Sequence, residues 1–252
     1  MDGGADGGAG GAGDAGDFGD SGDAGRAVGG ALGIVVGSPD AEPTRLLAIR
    51  HGQTAWNADL RIQGHTDIPL NDTGLWQAAR LAQALADEGI QALYSSDLQR
   101  AAGTAAALSR TTGLPVRTDA ALRERAFGHY EGATFREIET RWPDDARRWR
   151  QRDPSFGPAG GETLQDFYTR CVAAATRLAA LHPGQTVALV AHGGVLDCLY
   201  RAATRMALDA PRTWQLGNCS INRLLYSAEG LSLVGWNDDH HLDGAGPPPA
   251  DA

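Results

Sequence analysis

The sequence predicts an α/β domain, a three-layer sandwich with a mainly parallel central sheet, helices on both faces and a site at the strand carboxyl ends. Three observations carry that prediction. Apolar strand-like runs alternate with helix-like stretches from about residue 44 to 243, as in sheets covered by helices. The run TVALVA at 186–191 is apolar almost throughout, as a strand buried on both faces requires. Two runs, LLAI and VALVA, pass directly into Arg-His-Gly and His-Gly turns at His51 and His192. Ligands in such folds gather where strands end and helices begin.

The first strand covers 45–49. Thr73 is placed to cap a helix over 74–88, with Leu75, Ala79, Ala82 and Leu85/Ala86 on one face and Gly89 at its end. ALYSS at 92–96 reads as a strand, followed by a helix over 97–112 started by Asp97 and stopped by Gly113 and Pro115. Residues 115–118 make a short third strand. The stretch 122–160 shows no long periodicity, although Trp142 and Trp149 have the spacing of packing residues on a helix. A longer helix over 162–182 carries Phe167, Cys171, Ala174, Leu178 and Leu181 at helical spacing. After the strand 186–191 comes a helix over 195–206. INRLLYS and LSLVGW close the chain as a hairpin around Ala228-Glu229-Gly230.

Composition narrows the function. The 252 residues are 42% hydrophobic and 21% charged with a net charge of −9, which argues against nucleic acid or an anionic membrane surface as partner. No stretch approaches the ~20 apolar residues of a membrane span. All 22 basic residues are arginine, so choosing arginine over lysine conveys nothing here and only its position counts. Cys171, Cys198 and Cys219 are widely spaced, odd in number and lack a C-x-x-C, which fits reduced thiols in a cytoplasmic protein. The N-x-S/T triplets at Asn71 and Asn218 then have no glycosylation meaning.

Residues 1–43 form a Gly/Asp/Ala-rich leader with nothing to build a core, expected to be disordered. Its apolar run at 27–37 follows a leader that is negative rather than positive overall and does not read as a secretory signal. A start downstream of Met1, or a tether, accounts for it equally well. Residues 244–252 are a second tail expected to be disordered, leaving 44–243 as the folded domain.

The chemistry-bearing residues converge on the strand ends. His51 and His192, on neighbouring parallel strands ~4.8 Å apart, face one ligand. Arg50 precedes the first of them, and Arg100 lies in the first turn of the helix after ALYSS, so two permanent charges and a helix amino terminus surround one anion. LRERAFGHYEG at 122–132 supplies Glu124 and Glu131 as candidate proton donors; spacing leaves both open. His65 and His129 lie in nearby loops and are candidates for the pocket lining. NDDHH at 237–241 has ligand-type residues without a second cluster and reads as a solvated tail rather than a metal site.

Five blocks in order complete a known pattern: R-H-G with T-x-W-N, R-I-Q-G-H-x-D-x-P-L, Y-S-S-D-L-Q-R-A, L-R-E with G-x-Y-E-G, and A-H-G-G. Over about 44–242 the chain resembles the phosphoglycerate-mutase-like branch of the histidine phosphatase superfamily. The resemblance implies His51 as the nucleophile that becomes phosphohistidine, with Arg50, Arg100 and His192 completing the phosphate pocket. It selects Glu124 as proton donor. It also implies phosphoryl contacts from the Asn57 side chain and the Gln63-Gly64 backbone, and close backbone approach at Gly193. Neither a metal nor another cofactor is implied, and the partner is a small phosphorylated metabolite.

Residues 132–160 correspond to the family's variable region over the site, where specificity is expected; its arginines (136, 141, 147, 148, 150, 152) are mostly a solvated face. The interval from Glu124 to His192 is short and lacks lysine, which resembles the broad-specificity phosphatases rather than the mutases. The alternatives are a phosphoglycerate mutase and, from another class, a non-catalytic phospholigand-binding protein. The edge strands offer a surface for a homodimer. Deleting residues 1–40 is expected to leave melting temperature and activity unchanged; a clear fall in melting temperature would make the leader part of the fold.

Overall fold

A computed structural model describes residues 42–244 and Gly246. The expected leader, but for residues 42 and 43, and the expected tail, but for Gly244 and Gly246, lie outside the described residues. The elements run in the order β1 (Thr44–Arg50), α1 (Ala55–Ala58), α2 (Asp72–Ala84), β2 (Ala92–Ser95), α3 (Gln99–Thr112), β3 (Val116–Thr118), α4 (Phe135–Arg141), α5 (Pro143–Arg150), α6 (Leu164–Ala180), β4 (Thr186–Ala191), α7 (Gly193–Thr204), β5 (Ile221–Ser227) and β6 (Gly230–Asp238). The strands form one six-stranded sheet in the order β3-β2-β4-β1-β5-β6. β3, β2, β4 and β1 are parallel, and β5 and β6 add an antiparallel edge. The three-layer, mainly parallel architecture expected from sequence is present.

Alternation along the strands divides the core between the two faces. Leu46, Ala48, Val187, Leu189 and Ala191 pack against α6 and α7. Leu47, Ile49, Ala188 and Val190 pack against α2 and α3. Cys171, Cys198 and Cys219 are buried free thiols within these two layers. Among the described residues no helix is long and apolar enough to cross a membrane.

Several local expectations shift, each for a physical reason. Helix α2 starts earlier because Asn71, not Thr73, accepts the orphan Gly74 amide at 2.8 Å. Its buried face is Gly74, Ala78, Leu81 and Ala82, followed by Leu85 just past its end; of the predicted face Ala82 and Leu85 are buried, whereas Leu75 is 56% exposed and Ala79 is exposed. Asp97 does not cap α3, because Arg123 binds both its carboxylate oxygens at 2.7 and 2.5 Å. Asp67 instead accepts the Gln99 amide at 2.7 Å. Gly113 does end α3, in the left-handed region at φ 73°. Leu181 lies at the end of α6 and is 62% exposed rather than in the core.

The stretch 122–160 contains two short helices, α4 and α5, separated at Trp142-Pro143. Neither is long enough to show an amphipathic period in sequence. They enclose a small core of Tyr130, Ile138, Ala146 and Phe156, with Phe127, Trp142 and Trp149 packed on it. The NDDHH segment is not a solvated tail: Asn237 and Asp238 end β6, Asp238 pairs with Arg223 at 2.7 Å, and Asn237 accepts the Gly217 amide at 2.6 Å.

The turn after β1 passes directly over the start of α2. A Cβ built on Gly74 would lie 2.1 Å from the Gln53 carbonyl oxygen, a backbone atom that cannot swing away. Gly74→Ala is therefore expected to cost about 1–3 kcal/mol of stability, measured by urea unfolding, whereas Ala79→Ser at an exposed position of the same helix costs little.

Candidate active site

The register of β1 on β4 pairs Arg50 with Ala191, so the next residues, His51 and His192, stand side by side where both strands end. Their ring centroids are 5.1 Å apart and their planes are inclined at 59°. Both are buried, and their partners define their tautomers. The His51 Nδ1 lies 2.7 Å from the Gly52 carbonyl oxygen. A carbonyl only accepts, so Nδ1 carries the proton and Nε2 keeps a free lone pair. His192 is reversed: its Nδ1 accepts from the Arg100 Nε at 3.2 Å, which leaves hydrogen on Nε2.

Burial, then the charges of Arg100 and Arg50, hold His51 well below the ordinary imidazole value, against a smaller opposing pull from the Gly52 carbonyl. Burial and Arg100 do the same to His192. Both rings are therefore neutral at pH 7.

Arg100, the second residue of α3, is fully buried. Its guanidinium donates to the Gly64 carbonyl at 2.7 Å, the Thr66 carbonyl at 3.1 Å and His192. The Arg50 Nη1 donates to the Leu216 carbonyl at 2.6 Å. Neither arginine forms an ion pair among the described residues, and burial lowers both from the ordinary guanidinium value while Glu124 opposes it. Holding such charge away from water with no ion-pair partner is costly, so the site favours an anion. Two buried donors, the Arg50 Nε and His192 Nε2, have no partner among the described residues, which is costly unless a ligand supplies the acceptors.

Glu124 faces this group from the opposite wall. Its Oε2 accepts the Gly194 amide at 2.8 Å, at the start of α7, and its Oε1 accepts the Arg125 amide at 2.8 Å. Helix α7 begins two residues earlier than the sequence suggested, because the Glu124 carboxylate satisfies one of its orphan amides. Close approach is demanded at Gly194 rather than Gly193. A Cβ on Gly194 would lie 2.2 Å from the Glu124 Oε1, against 3.5 Å from the Arg50 Nε for Gly193.

Arg50, His51, Arg100, Glu124, Asn57, Gln63, Gly64 and Gly193 all line one cavity of about 180 Å³. Thr54 orients two of them: its amide donates to the Asn57 Oδ1 at 3.1 Å and its hydroxyl to the Gln63 Oε1 at 3.0 Å. Both amide NH2 groups are thereby left for the cavity.

Other candidates fall outside it. Glu131 accepts from the His65 and Thr66 amides at 2.9 and 2.6 Å and braces the Gly64–Thr66 turn. His65 supports the Glu124 carbonyl at 2.9 Å, and His129 packs tilted against Tyr130 and edge-on to Trp142. Of the variable-region arginines none lines the cavity; Arg147, Arg148 and Arg150 pair with Asp144, Asp153 and Glu139, and Arg152 pairs with Asp197. The outer wall is Arg61, Ile62 and Phe127 instead, and the variable region packs behind it.

Sequence reasoning missed Asn218, whose side chain donates to the His51 carbonyl at 2.9 Å, and Thr104, which accepts the Gly52 amide at 3.0 Å. No local pattern marks either; Asn218 carried only its empty glycosylation triplet.

Residues 46–239 match the histidine phosphatase superfamily (branch 1). The chain belongs to that family. Among curated relatives, a phosphoglycerate mutase-like protein 4 of Arabidopsis thaliana is 36% identical over 213 residues, covering 83% of this chain and 91% of the relative. A metal-independent phosphoserine phosphatase of the same plant is 34% identical over 211 residues, covering 82% and 87%. Among solved structures, a mycobacterial glucosyl-3-phosphoglycerate phosphatase superposes with a TM-score of 0.71 at 33% identity, covering 78% of this chain and 100% of that one. This histidine phosphatase is an enzyme, a phosphatase of the family's type.

The buried neutral histidines tie stability to pH. Their native values lie below the unfolded value of about 6.5, so the unfolded chain binds more protons as pH falls below it. Stability is full above about pH 6.5 and is lost on acidification, at up to about 1.4 kcal/mol per pH unit for each histidine. Urea unfolding from pH 7.5 to 5 is expected to show this slope, and His192→Gln to make it shallower; a slope unchanged in the variant removes His192 from the account.

Proposed function

We propose that the enzyme hydrolyses small phosphate monoesters without a metal, through a phosphohistidine on His51 with Glu124 as proton donor. The observation that carries this reading is the bare His51 Nε2, fixed by the Gly52 carbonyl, beside unpartnered donors on Arg50 and His192. His51, Arg50 and Arg100 line one cavity, with the His192 ring beside His51 at 5.1 Å between centroids, so a nucleophilic lone pair and donors for a phosphoryl group lie together.

In the first half-reaction the His51 Nε2 attacks phosphorus, the ester P–O bond breaks, and the leaving alkoxide takes the proton of Glu124. Arg50, Arg100 and His192 neutralise the phosphoryl oxygens as charge spreads over them, assisted by the Asn57 and Gln63 side chains and by the Gly64 and Gly193 backbone. In the second, water attacks phosphorus, Glu124 takes its proton, and the P–N bond breaks to restore His51. Glu124 is favoured over Glu131 because Glu131 is already committed to four donors, the amides of His65, Thr66 and Phe127 and the Thr66 hydroxyl, while Glu124 lines the cavity.

The relatives' names are consistent with hydrolysis of small phosphorylated metabolites. One is a metal-independent phosphoserine phosphatase, and an Entamoeba histolytica phosphoserine phosphatase in complex with 3-phosphoglyceric acid superposes with a TM-score of 0.72 at 27% identity, covering 79% of this chain and 99% of that one. Relatives named a phosphoglycerate mutase-like protein and a probable phosphoglycerate mutase favour the second reading, in which the phosphoryl group is handed to another hydroxyl instead of water.

Inorganic phosphate release in EDTA, from a panel of small monoesters, is the test. Wild type is expected to release phosphate and His51→Ala to lose at least about 10³-fold in kcat/KM, about 4 kcal/mol. Glu124→Gln is expected to slow alkyl esters more than aryl esters; an equal effect on both removes Glu124 as leaving-group acid. Interconversion of phosphoglycerates without phosphate release selects the mutase, and phosphate binding without either activity selects the binding protein.

A further inference from the structure

Three guanidinium groups line the cavity: Arg50, Arg100 and Arg61. The first two are buried beside His51 and match the two charges of a phosphomonoester dianion. Arg61 stands apart on the outer wall with Ile62 and Phe127. Its Nη1 donates to the Gly132 carbonyl at 2.7 Å, and among the described residues Nε and Nη2 make no hydrogen bond. The nearest carboxylates are Asp59 at 4.0 Å and Glu137 at 3.8 Å, both substantially exposed. Pairs at that separation in water contribute about 0–1 kcal/mol, so they leave most of the Arg61 charge available.

The wall beside Arg61 is apolar. Phe127 is held flat against Trp149, with centroids 5.0 Å apart and planes 6° apart, and Ile62 is fixed by its amide on the Ala133 carbonyl at 2.9 Å. The cavity of about 180 Å³ is smaller than the ~300 Å³ at which drug-sized pockets begin. It therefore suits a compact phosphate ester.

We propose that Arg61 is a specificity-determining residue that binds a carboxylate on the leaving group of a small phosphate monoester, with Ile62 and Phe127 against the intervening carbons. The proposal rests on the phosphomonoesterase reading above and names the substrate class of that site. The planar Nε–Nη2 edge is the fork that suits a carboxylate. The third cation then meets a third negative charge, and an uncharged alcohol of equal length leaves it unused.

Arg61 also tethers the segment 132–134, through Gly132 and a bridge to Thr134, so the test separates recognition from tethering. Calorimetric titrations in the His51→Ala background, which lacks the proposed nucleophile, compare 3-phosphoglycerate with glycerol 3-phosphate. These esters have the same three carbons and differ in a carboxylate against a hydroxymethyl group. The acid is expected to bind at least about 10-fold tighter, equivalent to about 1.4 kcal/mol. Adding Arg61→Gln is expected to abolish that preference and to leave glycerol 3-phosphate within about twofold. Equal affinity for the two esters before Arg61 is changed, a preference that survives Arg61→Gln, an equal loss for both, or no binding of either would each overturn the proposal. Phosphate release by the wild-type chain is read separately. An Arg61-dependent preference without release defeats the phosphomonoesterase reading and keeps the recognition role.

Discussion

The parallel pairing of β1 with β4 is the constraint on which the site depends. Its register sets Arg50 opposite Ala191, so each strand delivers a histidine at the same height. A slip by one residue would send one ring to the other face of the sheet and separate the pair. That register is itself held by burial, since Leu47 and Ile49 belong to one core layer and Leu46 and Ala48 to the other. The hydrophobic core thus sets the position of the reactive rings, and the rings add little to the core.

A second consequence follows from charge. Arg50 and Arg100 are held among carbonyl groups and a neutral imidazole, with no ion pair among the described residues. Backbone carbonyls satisfy the hydrogen-bonding geometry of a guanidinium but do not cancel its charge. Burial first, and then this surplus, depress the pKa of both histidines, and the same surplus attracts an anion. One arrangement therefore favours neutral imidazoles and an anionic ligand together.

The small aromatic core around Tyr130 is coupled to the cavity at few points: Phe127 stacked on Trp149, Ile62 bonded to Ala133 and Arg61 bonded to Gly132. The two short helices shape the outer wall from behind instead of supplying it. Substitutions in this region reach the cavity through Phe127, Ile62 and Arg61, while Arg50, His51 and Arg100 are held at the end of the sheet.

By itself the sequence determined the layered α/β fold, because near-continuous apolar strands and intervening helices have few other ways to be buried. It also determined the group Arg50, His51, Arg100 and His192, because each lies at a strand end or in the helix turn that follows. Glu124 against Glu131 was open to spacing alone and was chosen by resemblance; the tertiary structure separates them by their partners, the start of α7 for one and the Gly64–Thr66 turn for the other. The first turn of α2 was misread because its cap is Asn71 and Leu75 points outward, although Ala82 and Leu85 lie in the core as expected, and the short helices α4 and α5 carry too few turns for a period to emerge. Asn218, Thr104 and the carbonyls of Gly64, Thr66 and Leu216 were invisible for a different reason. Their roles arise from backbone groups brought together across long stretches of chain, and only the folded path decides which carbonyl meets which guanidinium.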